Sequence, residues 1–180
     1  MTNLIQTRFF VCLLLVLCVA SCTTVTPAPA GKTPYADIDN PEQWSGRTRE
    51  VLMNALSLTG VKYAYGGNTP ETGFDCSGFV GYVFKQAASL TLPHSAQAMS
   101  LLGKSIPKNE LQPGDLVFFN TVKTAISHVG IYMGNNRFIH APSAGGNVRV
   151  ENMKEGYWAT RYSGAQRLVN TSDSDQVNNE

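Results

Sequence analysis

The chain has 180 residues, with 14 lysines and arginines against 13 aspartates and glutamates. This length supports one ordinary domain with its own core, and the near-zero charge, without a basic run or an RNA-binding motif, argues against a nucleic-acid partner. The sequence has no ligand pair spaced as in Cys-x-x-Cys or His-Glu-x-x-His, so we expect neither a metal nor another cofactor.

Residues 1–21 have the pattern of a bacterial signal peptide. A short polar start with one positive charge, Arg8, precedes an almost unbroken apolar run over 9–20 that is too short to span a membrane. The next boundary, Val-Ala-Ser-Cys, resembles a lipobox, which implies cleavage before Cys22 and lipidation of that residue. Thr23, rather than aspartate, favours sorting to the periplasmic face of the outer membrane. The alternative is an ordinary signal peptide cut nearby, with Cys22 incidental.

Cysteine usage leaves one free thiol in the mature chain. Cys12 and Cys18 leave with the signal peptide and Cys22 becomes the anchor, so only Cys76 remains. No disulfide can form within the mature chain, although its compartment is oxidising. A leftover cysteine in an exported protein indicates a reactive thiol.

The segment before the cysteine begins with a linker and then a helix. Residues 22–45 start rich in threonine, proline and alanine and predict a flexible tether that holds the domain off the membrane. A helix is predicted from near Ser45 or Thr48 to Gly60. A short extended piece and a loop over 68–74 follow.

Around the cysteine, apolar side chains recur at helical spacing and predict a helix over 76–88. Asp75 precedes it and has the side-chain type of an N-cap. Ser95 is expected to cap a second, short helix over 96–102.

Beyond residue 112 the pattern changes to the alternation and turn signals of strands. A Pro-Gly turn opens this region, and the Gly-Asn-Asn sequence at 134–136 marks a hairpin turn. Four strands and a closing segment, either strand or irregular, are predicted over 115–119, 127–133, 137–140, 147–152 and 158–168. Helices followed by consecutive antiparallel strands indicate an α+β fold, with the helices on one side of a meandering sheet. The domain is expected to cover 46–169, followed by a disordered tail over 170–180.

Cys76 would occupy the first turn of its helix. That end carries unpaired N–H groups and a partial positive charge, which favour a thiolate and therefore suit a nucleophile. The alternative is a buried structural cysteine that acts as a small apolar side chain.

The predicted hairpin can place two histidines on one face. If residues 134–136 form its loop, Met133 pairs with Arg137 and Tyr132 with Phe138, so alternation sets His128 and His140 on a common side. A one-residue bulge would break this argument.

If the cysteine helix packs on that face, Cys76, His128 and His140 form a nucleophile, a base and a group that orients the base. Gly130, without a Cβ, would leave room for the helix. The alternatives are a zinc site built from the same three residues, or separate structural histidines. His94 has no strand partner and is expected to be structural or on the surface.

Four sequence blocks, at 63–67, 75–80, 113–119 and 128–141, resemble those of the NlpC-type cysteine peptidases. The resemblance implies a papain-like α+β fold with Cys76 as nucleophile, His128 as base and His140 as the residue that orients His128. It places oxyanion support on Tyr63, with Tyr65 as the runner-up. It also implies that Asp75, Ser77 and Tyr65 contact the substrate.

The chain looks most like small lipoprotein murein endopeptidases, which consist of a lipobox, a tether and one such domain. The implied activity is hydrolysis of peptidoglycan peptides by a D,D-endopeptidase at the D-Ala–diaminopimelate cross-link. A D,L-endopeptidase at D-Glu–diaminopimelate, a non-catalytic peptidoglycan-binding lipoprotein and an acyltransferase or amidase on the same fold are the alternatives. The expected partners are peptidoglycan and the membrane through the lipid on Cys22, and a monomer is expected.

Overall fold

The computed structural model describes residues 46–122, 126–143 and 145–168. The signal peptide, lipidation and tether predicted for 1–45, and the tail predicted from 170, lie outside the described residues. Among the residues described, no helix has the length and apolar character to cross a bilayer.

Four α-helices form within the described residues. The ranges of α1 to α4 are Gly46–Ser57, Cys76–Ala88, Ala96–Met99 and Gly156–Ala159. The predicted range of α2 is confirmed. The predicted N-cap of α3 is confirmed too, because the Ser95 side chain accepts from the Ala98 amide. However, α3 ends at Met99 rather than at 102, and α4 begins just before the segment expected to close the sheet and extends into it.

The strands β1 to β8 run over Asn68–Thr69, Gly73–Phe74, Lys104–Ser105, Leu116–Phe119, His128–Gly134, Arg137–His140, Arg149–Asn152 and Tyr162–Arg167. Strands β1 and β2 pair as a small hairpin within the stretch predicted to be a loop. The other six form one antiparallel sheet in the order β3-β8-β4-β5-β6-β7. The α+β class is confirmed, but the meander extends only from β4 to β7, because the last strand inserts between β3 and β4.

Apolar side chains fill both faces of this sheet. The helix side holds residues of α1 and α2 packed with Val129, Ile131 and Met133 of β5. The opposite side holds a smaller cluster that includes Phe119, Phe138 and Trp158. The expectation that helices cover only one side is therefore incomplete, since Trp158 of α4 packs on the other.

The β5–β6 hairpin closes through two residues, Asn135 and Asn136, both with positive φ (50° and 58°). Such a turn matches the twist of the flanking strands. Tyr132 pairs with Phe138 as predicted, but Arg137 pairs with Gly134 instead of Met133, because the register shifts between Tyr132 and Gly134. This irregularity lies on the turn side of the histidines, so it leaves their common face unchanged.

Candidate active site

The N-terminus of α2 presents Cys76 to a cleft. Asp75 caps the helix, because its Oδ1 accepts from the Gly78 amide at 2.7 Å. The Cys76 Sγ lies 4.0 Å from the carbonyl oxygen of Ser127, just before β5. Cys76 and His128 both line a cavity of about 470 Å³. The structure therefore brings the predicted nucleophile and base to one cleft.

The two histidines form a buried pair. His128 Nε2 lies 2.7 Å from His140 Nδ1, and the rings are close to perpendicular, at 86°. His128 is 2% exposed and His140 is fully buried. The indole of Trp158 stacks on the His128 ring, with centroids 5.4 Å apart.

The route by which the cysteine reaches the histidines differs from the prediction. Helix α2 packs on the face formed by Val129 and its alternate neighbours, whereas His128 packs with Trp158 on the opposite face. Cys76 approaches β5 only at its beginning, where the Sγ lies 4.0 Å from the Ser127 carbonyl oxygen and shares a cavity with His128. The room left by Gly130 serves a different neighbour, since a Cβ there would lie 2.7 Å from the Phe138 ring and 3.2 Å from the His140 Cβ. The glycine therefore accommodates β6 rather than the helix.

The electrostatics of this pair favour neutral groups at rest. Burial raises the pKa of the Cys76 thiol, although hydrogen bonding by the Val129 and Ser77 amides opposes that shift. Desolvation, which raises the pKa of the thiol, therefore outweighs the helix terminus, which was expected to lower it. Burial and the neighbouring His140 lower the pKa of His128 from 6.5 to about 3. The cleft thus holds a thiol beside an uncharged imidazole that can accept its proton.

The low pKa of His128 predicts a loss of stability in acid. The unfolded chain takes up a proton near the ordinary pKa of 6.5, whereas folded His128 stays neutral down to about 3. Stability is therefore present above pH 6.5 and falls as the pH drops through this window, by about 1.4 kcal/mol per unit for one such group. Between pH 7.5 and 5.0 we expect a loss of about 2 kcal/mol from His128 in urea unfolding. A His128→Gln chain should lack this part of the slope, and equal slopes in both chains would contradict the assignment.

Glu151 on β7, which the sequence analysis missed, lies behind the histidine pair. Its Oε2 is 3.4 Å from His140 Nε2, and its Oε1 is 2.5 Å from Arg149 Nε. The indole N–H of Trp158 also donates to Glu151. The interaction with His140 is the largest cause that lowers the pKa of Glu151 to about 2. Only the pairing of β6 with β7 places this carboxylate beside His140.

The Asp75 carboxylate has several donors on the cleft wall. Besides the Gly78 amide it accepts from the Ser77 hydroxyl and the Gly66 amide, each at 3.0 Å. The Nε2 of His94 lies 2.9 Å from both of its oxygens. His94 therefore lines the cleft and bonds the helix cap, a position that no local sequence signal indicated.

The two candidate tyrosines differ in burial. Both line the cleft, but Tyr65 is 94% exposed whereas Tyr63 is partly buried. Burial, followed by the negative charge of Cys76 and Asp75, raises the pKa of Tyr63. The Tyr63 hydroxyl therefore stays protonated at neutral pH in the cleft that Cys76 also lines. Within the described ranges, no three His, Cys, Asp or Glu side chains are grouped to hold a metal ion, so the zinc alternative gains no support there.

Comparison with known proteins gives a consistent set of relatives. Residues 60–167 match the sequence profile of the NlpC/P60 family. The chain is 45% identical over 121 residues to the gamma-DL-glutamyl hydrolase of Bacillus subtilis, covering 67% of this chain and 29% of that protein. It is 44% identical over 122 residues to the murein DD-endopeptidase MepS/murein LD-carboxypeptidase of Escherichia coli, covering 68% of this chain and 63% of that protein.

A solved structure extends the comparison to the fold. The crystal structure of an NlpC/P60 family protein from Bacillus cereus matches with a TM-score of 0.64 and 30% identity, over 68% of this chain and 40% of that one. This likeness confirms the expected papain-like α+β fold. The chain spans less than two thirds of the length of each of these three relatives.

Proposed function

The chain belongs to the NlpC/P60 family, and from this premise we propose that it is a cysteine peptidase that hydrolyses peptide bonds of peptidoglycan. The observation that carries the proposal is the shared cleft of Cys76 and His128, with His140 Nδ1 2.7 Å behind His128. A nucleophile, a base and a group that orients the base are the parts that covalent acyl transfer needs.

In the proposed first step, His128 takes the thiol proton of Cys76 while the sulfur attacks the substrate carbonyl carbon. The oxyanion that forms accepts from the Cys76 amide at the start of α2, with support from the Tyr63 hydroxyl. When the intermediate collapses, the C–N bond breaks and His128 gives its proton to the leaving amine. Water activated by His128 then attacks the thioester, and the released thiol recovers its proton.

Substrate contacts are proposed for Asp75, Ser77 and Tyr65. Asp75 supplies negative charge to the cleft wall, although its side chain is only 14% exposed and already bonded to His94. Ser77 is buried and donates to Asp75, which supports a role in setting that carboxylate. Tyr65 stands exposed at the rim, where it can cover a peptide stem.

For the bond cleaved, we propose the D-Ala–diaminopimelate cross-link, so that the chain is a D,D-endopeptidase. The similarity to a murein DD-endopeptidase supports this choice, because this chain covers 63% of that protein, a larger share than of the other two relatives. The D,L alternative at D-Glu–diaminopimelate is favoured by 45% identity to a gamma-DL-glutamyl hydrolase. We further propose that the protein is a monomer, anchored through a lipid on Cys22 at the periplasmic face of the outer membrane.

Digestion of purified sacculi tests the function and the bond together. The soluble chain from Thr23 onward is incubated with sacculi beside its Cys76→Ala variant, and the products are read by mass spectrometry. Loss of cross-linked dimers with intact stems is the expected result. Stems shortened at D-Glu would establish the D,L specificity instead. Binding to sacculi without any Cys76-dependent product would establish a non-catalytic binding protein.

A further inference from the structure

We propose that Glu151 is a positioning residue that sets the tautomer and orientation of His140 and, through it, of His128. This inference rests on the proposed function, because the row of Glu151, His140 and His128, here called the relay, affects a rate only if His128 is the base of that reaction. Its basis is a row of side chains leading away from the cleft. Glu151 Oε2 lies 3.4 Å from His140 Nε2, and His140 Nδ1 lies 2.7 Å from His128 Nε2.

The buried ring of His140 has a carboxylate beside its Nε2. Its ring is fully buried, and in the described part of the chain its Nε2 has no hydrogen bond of normal geometry. The Glu151 carboxylate is the acidic group within charge-pairing distance of that nitrogen. An ionised carboxylate can only accept, so a buried ring nitrogen facing it is stabilised when it carries a proton. Catalytic hydrogen bonds of this length commonly tighten when substrate binds.

A proton on His140 Nε2 fixes the rest of the relay. In the neutral ring, Nδ1 then has a lone pair and accepts from His128 Nε2–H. His128 is left with a free lone pair on Nδ1, the nitrogen that must receive the Cys76 proton. The opposite tautomer would set a lone pair of His140 against the carboxylate. It would also place the His128 proton on Nδ1, where the ring cannot act as a base.

The charge of Glu151 is maintained by its own partners. Arg149 pairs with Oε1, the Trp158 indole donates to the carboxylate, and the low pKa of Glu151 keeps it ionised at neutral pH. The titratable or charged side chains that face His140 are His128 across the hairpin and Arg149 and Glu151 from β7. When His128 becomes an imidazolium, the negative charge of Glu151 stabilises it through His140.

The alternative role of Glu151 is structural, because it also ties Arg149 and Trp158 together. Two readouts separate the roles. Imidazole nitrogen chemical shifts of the full chain report which nitrogen of each histidine carries the proton, whether or not hydrolysis has been detected. The wild type is expected to show protons on Nε2 of both His128 and His140. A proton on Nδ1 of His140 would overturn the proposal at once.

The second readout compares Glu151→Gln with the wild type. The amide retains the size of the side chain but removes the charge, so we expect kcat to fall on the order of 10- to 100-fold with KM nearly unchanged. Alkylation of Cys76 by iodoacetamide at pH 7 should slow in parallel, which gives a result even without a hydrolysis assay. Glu151→Asp should recover part of the loss. If only KM changes, or if the tautomers and alkylation rate stay as in the wild type, the positioning role is wrong.

Glu155→Gln is the matched control. Glu155 lines a second cavity, of about 350 Å³, together with His128 and Glu151, and it is exposed on the surface. The substitution removes an equal charge without touching the relay, so its histidine tautomers and alkylation rate should equal those of the wild type. If kcat and the alkylation rate fall equally in Glu151→Gln and Glu155→Gln, the effect comes from the total negative charge of the cavity, and the proposal is overturned.

Discussion

Replacing Cys76 by alanine is expected to reduce cross-link hydrolysis by about 10⁴-fold or more, with the fold retained. The loss is large because, in the proposed mechanism, the sulfur forms the covalent bond to the substrate, and Cys76 is the free cysteine among the described residues. The substitution removes only the sulfur of a partly exposed residue at the start of α2, so we expect the apolar core to stay intact. The measurement is the rate of dimer loss from a purified cross-linked muropeptide.

A reversible modification separates chemistry from folding in this experiment. Wild type blocked at Cys76 as a mixed disulfide should be inactive and should recover its rate when a reductant is added. The alanine chain should still bind sacculi and unfold at the same urea concentration as the wild type. Hydrolysis that persists in the alanine chain would remove Cys76 from the mechanism.

Replacing His128 by glutamine is expected to slow hydrolysis by about 10³- to 10⁴-fold and to change its pH dependence. Because burial raises the pKa of Cys76, the sulfur of this variant stays protonated at neutral pH. Its alkylation by iodoacetamide should then rise about tenfold per pH unit until the raised thiol pKa is reached. In the wild type, the proposed base His128 can take the proton as the sulfur attacks, so alkylation should already be fast below the pH at which an ordinary thiol ionises.

The same cleft supplies a control for this pH dependence. His94 lines the cavity with His128 but bonds to Asp75, so His94→Gln should leave the pH profile of Cys76 alkylation unchanged. If both histidine variants shift the profile equally, the effect is a general one of cleft charge. If neither does, His128 is not the base.

Local signals predicted much of the fold around the nucleophile. The bounds of α2 follow from apolar residues at helical spacing and from Asp75, whose carboxylate caps the first turn through an interaction three residues apart. The two asparagines of the hairpin tolerate positive φ and set the pairing that puts His128 and His140 on one face. These features depend on neighbours in the chain, so periodicity and turn chemistry are sufficient to predict them.

Several other contacts between distant segments were not predicted. The bond from His94 to Asp75 spans 19 residues and depends on the path of the chain after α2. Glu151 reaches His140 because β7 pairs beside β6, and Glu151 has no motif of its own. Likewise, no local pattern indicated that β8 would insert between β3 and β4.

The sequence by itself determined the capped helix with Cys76 at its start, the hairpin with its two histidines, and the family to which both point. Only the tertiary structure decided that α2 packs on the sheet face away from His128 and that Cys76 shares a cleft with His128 at the start of β5. It also decided the protonation of the site. A helix terminus favours a thiolate through local dipoles, but desolvation depends on everything packed around the sulfur, and here burial raises the pKa of the Cys76 thiol.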